Sequence, residues 1–252
     1  MGSAYSVSIY KSRPIIVAES LKELVVTEGL KPGDRLPAEN ELISRFKMSK
    51  GTIREATRLL EAQGLIKTRT GPGGGCFVHE VSELRTISLL SNYFYFKELT
   101  ISNIYEMRKL LEPKIAGSLA GKLSQKQLEN LRNIVNEYKS APKNEDDDRA
   151  HHESALKFHG CLANYADNVL LGFIVRFMSQ VLTEVTINRK LFRPINYQLW
   201  REGYRYHNEL IKALELGNAD EAKSIMYAHM CMAEDLMLQQ EARLASGLKN
   251  IE

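Results

Sequence analysis

Three histidines fall where an enclosed metal site would need them. His159 has Leu156, Leu162 and Ala163 at −3, +3 and +4. His207 has Leu210, Ile211 and Leu214 at +3, +4 and +7. His229 has Ile225, Met226, Met232 and Leu236 at −4, −3, +3 and +7. Each lies on the apolar stripe of a different helical segment and so points inward. A buried imidazole needs a partner, and three that converge in a helical bundle make a three-histidine metal site with one open position. Arg108 is the second candidate. It sits among Ile104, Tyr105, Leu111 and Ile115, with Glu112 one turn later. A buried guanidinium beside a cavity can grip a carboxylate through two donors. The competing reading is an internal Arg108–Glu112 ion pair with no ligand. The other histidines are less telling: His79 ends a β-like run, and His151 and His152 fall near a helix start.

A second kind of chemistry occupies the first third of the chain. Residues 1–80 hold 12 Lys/Arg against 9 Asp/Glu, whereas residues 81–252 hold 22 of each, so the net charge of +3 arises entirely in the first segment. From Ser44 to Arg69 the cations Arg45, Lys47, Lys50, Arg54, Arg58, Lys67 and Arg69 face only Glu55 and Glu61. A basic cluster on a neutral body points to a polyanion-binding head, although a solvated charged face has the same composition.

The elements that must position these groups can be read from the same residues. Ile15 to Val26 has apolar residues at helical spacing, opened by Pro14 and stopped by Gly29 and Pro32-Gly33-Asp34. Glu39 to Phe46 reads as a short helix, and after Lys47-Met48, Ser49 caps a longer one running to Gln63, closed by Gly64. Two β-like runs follow, 65–70 and 76–79, joined by Gly71-Pro-Gly-Gly-Gly75, expected to be a mobile turn. Three helices and a glycine-tipped hairpin form the plan of a winged helix-turn-helix. Its third helix presents N-terminal residues to base edges. Lys50 and Arg54 share a face and can donate to guanine or phosphate. Ser49 and Thr52 suit phosphate, and Gly51 allows close approach of the backbone. Beyond residue 81 the patterns are helical, with about seven helices expected near 82–97, 101–121, 124–140, 149–165, 168–190, 196–216 and 218–245. Thr100, Ser124 and Asn218 mark helix starts, and the acidic run Glu145–Asp148 reads as a solvated loop feeding the next helix.

The first segment resembles the GntR family of bacterial transcription regulators. The resemblance rests on Pro32-Gly-Asp-Arg-Leu-Pro-Ala-Glu39, Glu41-Leu42, Thr52-Ile-Arg-Glu-Ala56, Leu59-Leu60-Glu61, Gly64-Leu65-Ile66, Arg69 and Gly71-Pro-Gly-Gly-Gly75. It implies DNA contacts at Arg35, Asn40, Ser49, Lys50, Gly51, Thr52, Arg54, Arg69, Gly71 and Gly73. The remainder resembles the all-helical FCD effector domain of the FadR-type subgroup, through Arg108-x-x-Leu111-Glu112, Phe158-His159, His207, Ile211, Ala213-Leu214, Gly217-Asn218-Ala219-Asp220, Ala222, Met226 and His229. That likeness implies a divalent metal, often zinc or nickel, held by an aspartate and three histidines at the base of a pocket for small carboxylates. His159, His207 and His229 match the histidines. The aspartate position is Ala155, which weakens the expected site, and Glu153 is on the wrong face to replace it.

The expected protein is mainly α. A tail (1–13) precedes a winged helix-turn-helix head (14–80), an all-helical effector and dimerisation domain (81–246) and a C-terminal tail (247–252). The expected function is that of an effector-responsive regulator, usually a repressor among relatives, that binds a palindromic operator as a homodimer. Its effector would be a small organic acid held by the metal and Arg108. A metal-dependent enzyme built on the three histidines is the alternative, but no inward-facing general acid or base stands near them except Glu112. An architectural DNA-binding protein without effector would leave the buried histidines unexplained. With 252 residues, 44% of them hydrophobic, the chain has material for a core. No uninterrupted apolar run reaches the roughly 18 residues of a membrane span. The N-terminus lacks a signal-peptide core, and the scattered Cys76, Cys161 and Cys231 suit a reducing cytoplasm.

Overall fold

The structure is a computed structural model that describes residues 12–95, 97 and 99–248. Most of the two expected tails, residues 1–11 and 249–252, lies outside the described residues. The chain divides into two compact units, one ending at Leu89 and the other starting at Leu90.

In the first unit α1 (Arg13–Thr27), α2 (Glu39–Phe46) and α3 (Lys50–Ala62) precede a hairpin of β1 (Ile66–Arg69) and β2 (Gly75–Val78). Proline at the first turn of α1 costs nothing, because that turn has no intrahelical partner for its N–H groups. The inner stripes of the three helices, Val17 and Leu21, Leu42, and Ile53, Ala56 and Leu60, meet Leu36, Ile66 and Val78 in one core. Lys47 makes the turn between α2 and α3 at a left-handed φ of 53°. The strands pair antiparallel, Ile66 opposite Val78 and Arg69 opposite Gly75, and Arg35 adds a single bridge to Phe77. The tip is closed rather than open-ended: the Gly74 N–H donates to Gly71 O at 2.9 Å. A Cβ on Gly74 would lie 2.5 Å from Arg69 O, so only glycine fits there.

The second unit contains the end of α4 (Glu83–Tyr95), then α5 (Ile101–Leu119), α6 (Gln125–Asn136), α7 (Glu145–Ala163), α8 (Val169–Asn188), α9 (Tyr197–Leu216) and α10 (Ala219–Leu248). Helices α4 to α10 are the seven expected, with shifted ends. The acidic run is a correction: Glu145–Asp148 is no loop but the first turn of α7, with Asn144 Oδ1 accepting from the Asp147 N–H at 2.8 Å. Four carboxylates at a helix N-terminus are favoured by the exposed amides and the macrodipole. At the other end α10 continues to Leu248, so residues 247 and 248, expected in the tail, are helical. Helix α5 is central, packing along α10 and against α8, and α7 packs along α8. Their facing residues, including Ile104, Tyr105, Ile115, Leu131, Phe158, Leu162, Leu182, Leu214, Met226 and Met230, form one core. Among the described residues α8 is the one helix long and apolar enough to cross a membrane on length and composition. Its Gly172, Val175, Met178, Val181, Leu182 and Thr186 are buried within the unit.

Candidate functional site

The cation-bearing face of the first unit lies at the start of α3. Ser49 caps that helix, its Oγ accepting from the Thr52 N–H at 3.2 Å and lying 2.9 Å from Thr52 Oγ1. Lys50 and Arg54 are exposed, and both lean on one acid of α2: Lys50 Nζ is 3.3 Å from Glu39 Oε1, and Arg54 Nε donates to Glu39 Oε2 at 2.8 Å. The hydrogen bond from Arg54, aided by Lys50, holds the Glu39 carboxyl below its usual range. Because Arg54 is engaged through Nε, the outer edge of its guanidinium has no part in that pair. Asn40 is exposed beside Glu39 in the first turn of α2. Arg35 clamps the wing, donating from Nη2 to Gly74 O at 2.5 Å. Arg69 places its guanidinium 4.4 Å from the centre of the Phe77 ring, and Gly71 and Gly73 hold the tip at positive φ. Gly51 is exposed, and a Cβ there would meet only Ser49 Oγ at 3.9 Å, so backbone geometry does not require glycine at that position.

In the second unit the three singled-out histidines do converge. His159 on α7, His207 on α9 and His229 on α10 are all buried. His159 Nε2 lies 3.0 Å from His207 Nε2 and 3.2 Å from His229 Nε2. One ligand atom from each falls within 4.8 Å of the others, and no carboxylate or thiol joins that group among the described residues. Burial pushes all three imidazoles toward the neutral form, the form that ligates a metal; the other two histidines and Arg108 push His207 the same way. Two of the three opposite ring nitrogens face an oxygen. His207 Nδ1 is 2.5 Å from Tyr138 Oη, and His159 Nδ1 is 2.5 Å from Glu112 Oε2, close but short of a straight hydrogen bond. His229 Nδ1 is buried without a partner. Three converging neutral nitrogens at this spacing, two of them backed by oxygens, fit a divalent metal bound at about 2.0–2.1 Å. Ala155 lines the same cavity and supplies no donor.

Arg108 is paired internally and keeps one donor unspent. Its side chain is 1% exposed, and Nε donates to Glu112 Oε1 at 2.5 Å, so the internal pair exists. Yet Nη2 is buried without a partner, and Arg108 lines the cavity beside the histidines. Burial works to raise the Glu112 pKa, but Arg108 and His159 outweigh it and bring it to about 2. Burial likewise disfavours the Arg108 charge, and Glu112 together with Tyr105 more than restores it. Glu112 therefore joins the two candidate sites through its two oxygens.

Sequence reasoning missed the other wall of the cavity, made of Tyr138, Asp148, His151, His152, Asn196 and Trp200. The signal was present: Asp148, His152, Ala155 and His159 fall at steps of four, three and four on one helical face. Placing the helix start at residue 149 hid it. Asp148 is 7% exposed and accepts from the Asn196 N–H at 3.3 Å. Burial raises its pKa to about 6. His152 Nε2 lies 3.2 Å from Thr186 Oγ1, and burial, with Arg108 nearby, lowers its pKa to about 4.

A helix-turn-helix head with a glycine-tipped wing, joined to a helical bundle around a polar cavity, is the build of a DNA-binding transcriptional regulator. Residues 16–78 match the family described as bacterial regulatory proteins, gntR family, and residues 103–231 match the FCD domain. The chain belongs to the GntR family of regulators, in the FadR-type branch that carries an FCD domain. It is 30% identical to the HTH-type transcriptional regulator LutR of Bacillus subtilis, over 82% of this chain and 93% of LutR. It is 27% identical to the Uxu operon regulator of Haemophilus influenzae, over 79% of this chain and 71% of that protein. A solved GntR structure from Streptococcus agalactiae superposes with a TM-score of 0.64 at 24% identity, covering 88% of this chain and 99% of that one, which bears on fold alone. These families and relatives are transcriptional regulators, so the metal-enzyme alternative has no support among them.

Proposed function

We propose that this protein is a cytoplasmic repressor that binds a palindromic operator as a homodimer and releases it when a small organic acid enters the helical domain. Residues 14–80 are the reading head and residues 81–246 the sensing and dimerising domain. The observation that carries the sensing role is the buried, unpartnered Nη2 of Arg108 beside three converging imidazole nitrogens. His159, His207 and His229 would hold a divalent metal, zinc or nickel, which supplies a Lewis-acidic anchor for a carboxylate. Arg108 would take a second oxygen of the acid, its other edge remaining on Glu112. In the head, the free edge of Arg54 and the ammonium of Lys50 would read guanine. Asn40, Ser49, Thr52, Gly51, Arg35, Arg69 and the Gly71–Gly73 wing tip would lie along the backbone or the minor groove.

The decisive experiment selects duplexes from random-sequence DNA with the wild-type protein and then measures affinity at matched salt. Arg54→Ala and Lys50→Ala should each lose about 1–3 kcal/mol on the selected duplex. The selected sequence should be a palindrome, and a small carboxylate should lower wild-type affinity without affecting Arg108→Ala. Wild-type affinity in Arg54→Ala would remove α3 from the reading role.

A further inference from the structure

The cavity has a second polar end that the metal and Arg108 leave unused. Asp148 lies two turns of α7 before Ala155, seven residues or about 10 Å along the axis. The residue is 7% exposed and lines the cavity, and its Oδ2 accepts from the backbone N–H of Asn196 at 3.3 Å. A carboxylate accepts several hydrogen bonds, so Asp148 keeps accepting capacity beyond that one bond on the cavity lining. Beside it on the same lining, His151 Nδ1 is buried without a partner. Among the described residues that line the cavity the one lysine or arginine is Arg108, and it is tied to Glu112. Buried polar atoms left open are costly unless something completes them.

We propose that Asp148 and His151 form a distal subsite for a hydroxyl group, so that the effector is a hydroxylated carboxylic acid several carbons long rather than a simple fatty acid or an amino acid. The hydroxyl donates to a carboxylate oxygen of Asp148 and accepts from, or donates to, His151 Nδ1, since a neutral imidazole offers either role by tautomer. A hydroxyl both gives and takes one hydrogen bond, which this pair can match; a methyl group satisfies neither atom. The acid's carboxylate stays at the Arg108 end. The inference thus rests on the carboxylate-sensing reading above and adds what the other end of the molecule must be.

The test uses three probes that differ at one terminal group: hexanoate, 6-hydroxyhexanoate and 6-aminohexanoate, with butanoate and 4-hydroxybutanoate as a shorter pair. Each is titrated calorimetrically into the full chain and into Arg108→Ala, Asp148→Ala and His151→Ala. Wild type should bind 6-hydroxyhexanoate at least tenfold more tightly than hexanoate and 6-aminohexanoate, with a smaller preference in the four-carbon pair. Asp148→Ala and His151→Ala should each bring the six-carbon ratio within about twofold of unity while leaving the hexanoate affinity unchanged. His151→Ala carries the test alone if Asp148→Ala, which also loses the Asn196 contact, does not fold. Equal binding of hexanoate and 6-hydroxyhexanoate, both weakened by Arg108→Ala, would overturn the distal subsite and leave the carboxylate reading standing. Tightest binding of 6-aminohexanoate would show that Asp148 awaits a cation and overturn the hydroxyl assignment. No binding of any probe, or binding indifferent to Arg108→Ala, would overturn both.

Discussion

Replacing Arg108 with alanine should reveal how far the sensing cavity depends on one desolvated pair. The guanidinium is 1% and the Glu112 carboxylate 2% exposed, with Nε and Oε1 2.5 Å apart. Removing one partner of such a pair costs about 3–5 kcal/mol, mostly the penalty of an uncompensated buried charge. Here His159 Nδ1 remains beside the other carboxylate oxygen. That second contact places the cost near the lower bound, about 3 kcal/mol. In a unit of this size each kcal/mol moves the melting temperature by about 2–4 °C, so a drop of about 6–12 °C is expected. Thermal melting followed by circular dichroism, with urea unfolding for the free energy, measures it. The companion is a double variant, Arg108→Met with Glu112→Leu, which removes both charges and keeps apolar bulk. It should recover to within about 1 kcal/mol of wild type, since replacing a buried pair by well-packed apolar groups is often neutral or stabilising. If Arg108→Ala melts within about 2 °C of wild type, Glu112 is not desolvated and its role as the link between the two candidate sites fails. A double variant as unstable as the single one would show that the loss lies in packing rather than in a stranded charge.

Two further outcomes follow from the same cavity. Chelator-treated protein should gain thermal stability on adding Zn2+, His207→Ala should abolish that gain, and Tyr138→Phe, which removes the oxygen beside His207 Nδ1, should weaken metal binding about tenfold; unchanged zinc affinity in Tyr138→Phe would mean that the phenol does not orient the ring. The pH dependence of Asp148→Asn tests the buried acid. The folded-state pKa is raised from 3.8 to about 6, so the folded protein holds the proton longer than the unfolded chain, and wild type loses stability as pH rises between those values. Relative to Asp148→Asn that loss should reach about 3 kcal/mol near pH 6 and then level off. A difference that stays flat from about pH 4 to 7 would place Asp148 in contact with water.

The parts of this protein that were legible in the sequence are those governed by local rules. Ser49, Thr100 and Ser124 cap the helices that their side chains announced. The apolar neighbours of His159, His207 and His229 carried enough periodicity to aim all three at one point. The i,i+4 spacing of Arg108 and Glu112 showed that they could pair. It could not show that the second carboxylate oxygen meets His159, because that contact joins α5 to α7 and depends on how two helices pack. Tyr138 lies just past the end of α6 and reaches His207 on α9 for the same reason. The one misjudged start, at α7, had a specific cause. An acidic run was read as solvated loop although the amide-rich end of a helix is where such a run is most stable. That shift of four residues left Asp148 outside the helix and so concealed its place on the face of His152, Ala155 and His159.

The contact between Glu39 and the two cations at the start of α3 bears on the time a regulator spends at wrong sites. Attraction to arbitrary DNA comes from cations that displace condensed counterions, with a salt slope of about 0.9 for each phosphate neutralised. Lys50 and Arg54, already matched by an acid on their own surface, add little to that sequence-blind grip. If the two read bases as proposed, a guanine edge would compete with Glu39 for them, and their charge would be felt mainly at sites that can reward it. A head arranged in this way would leave incorrect positions sooner, and sample more of a chromosome per unit time, than one with the same cations unpaired.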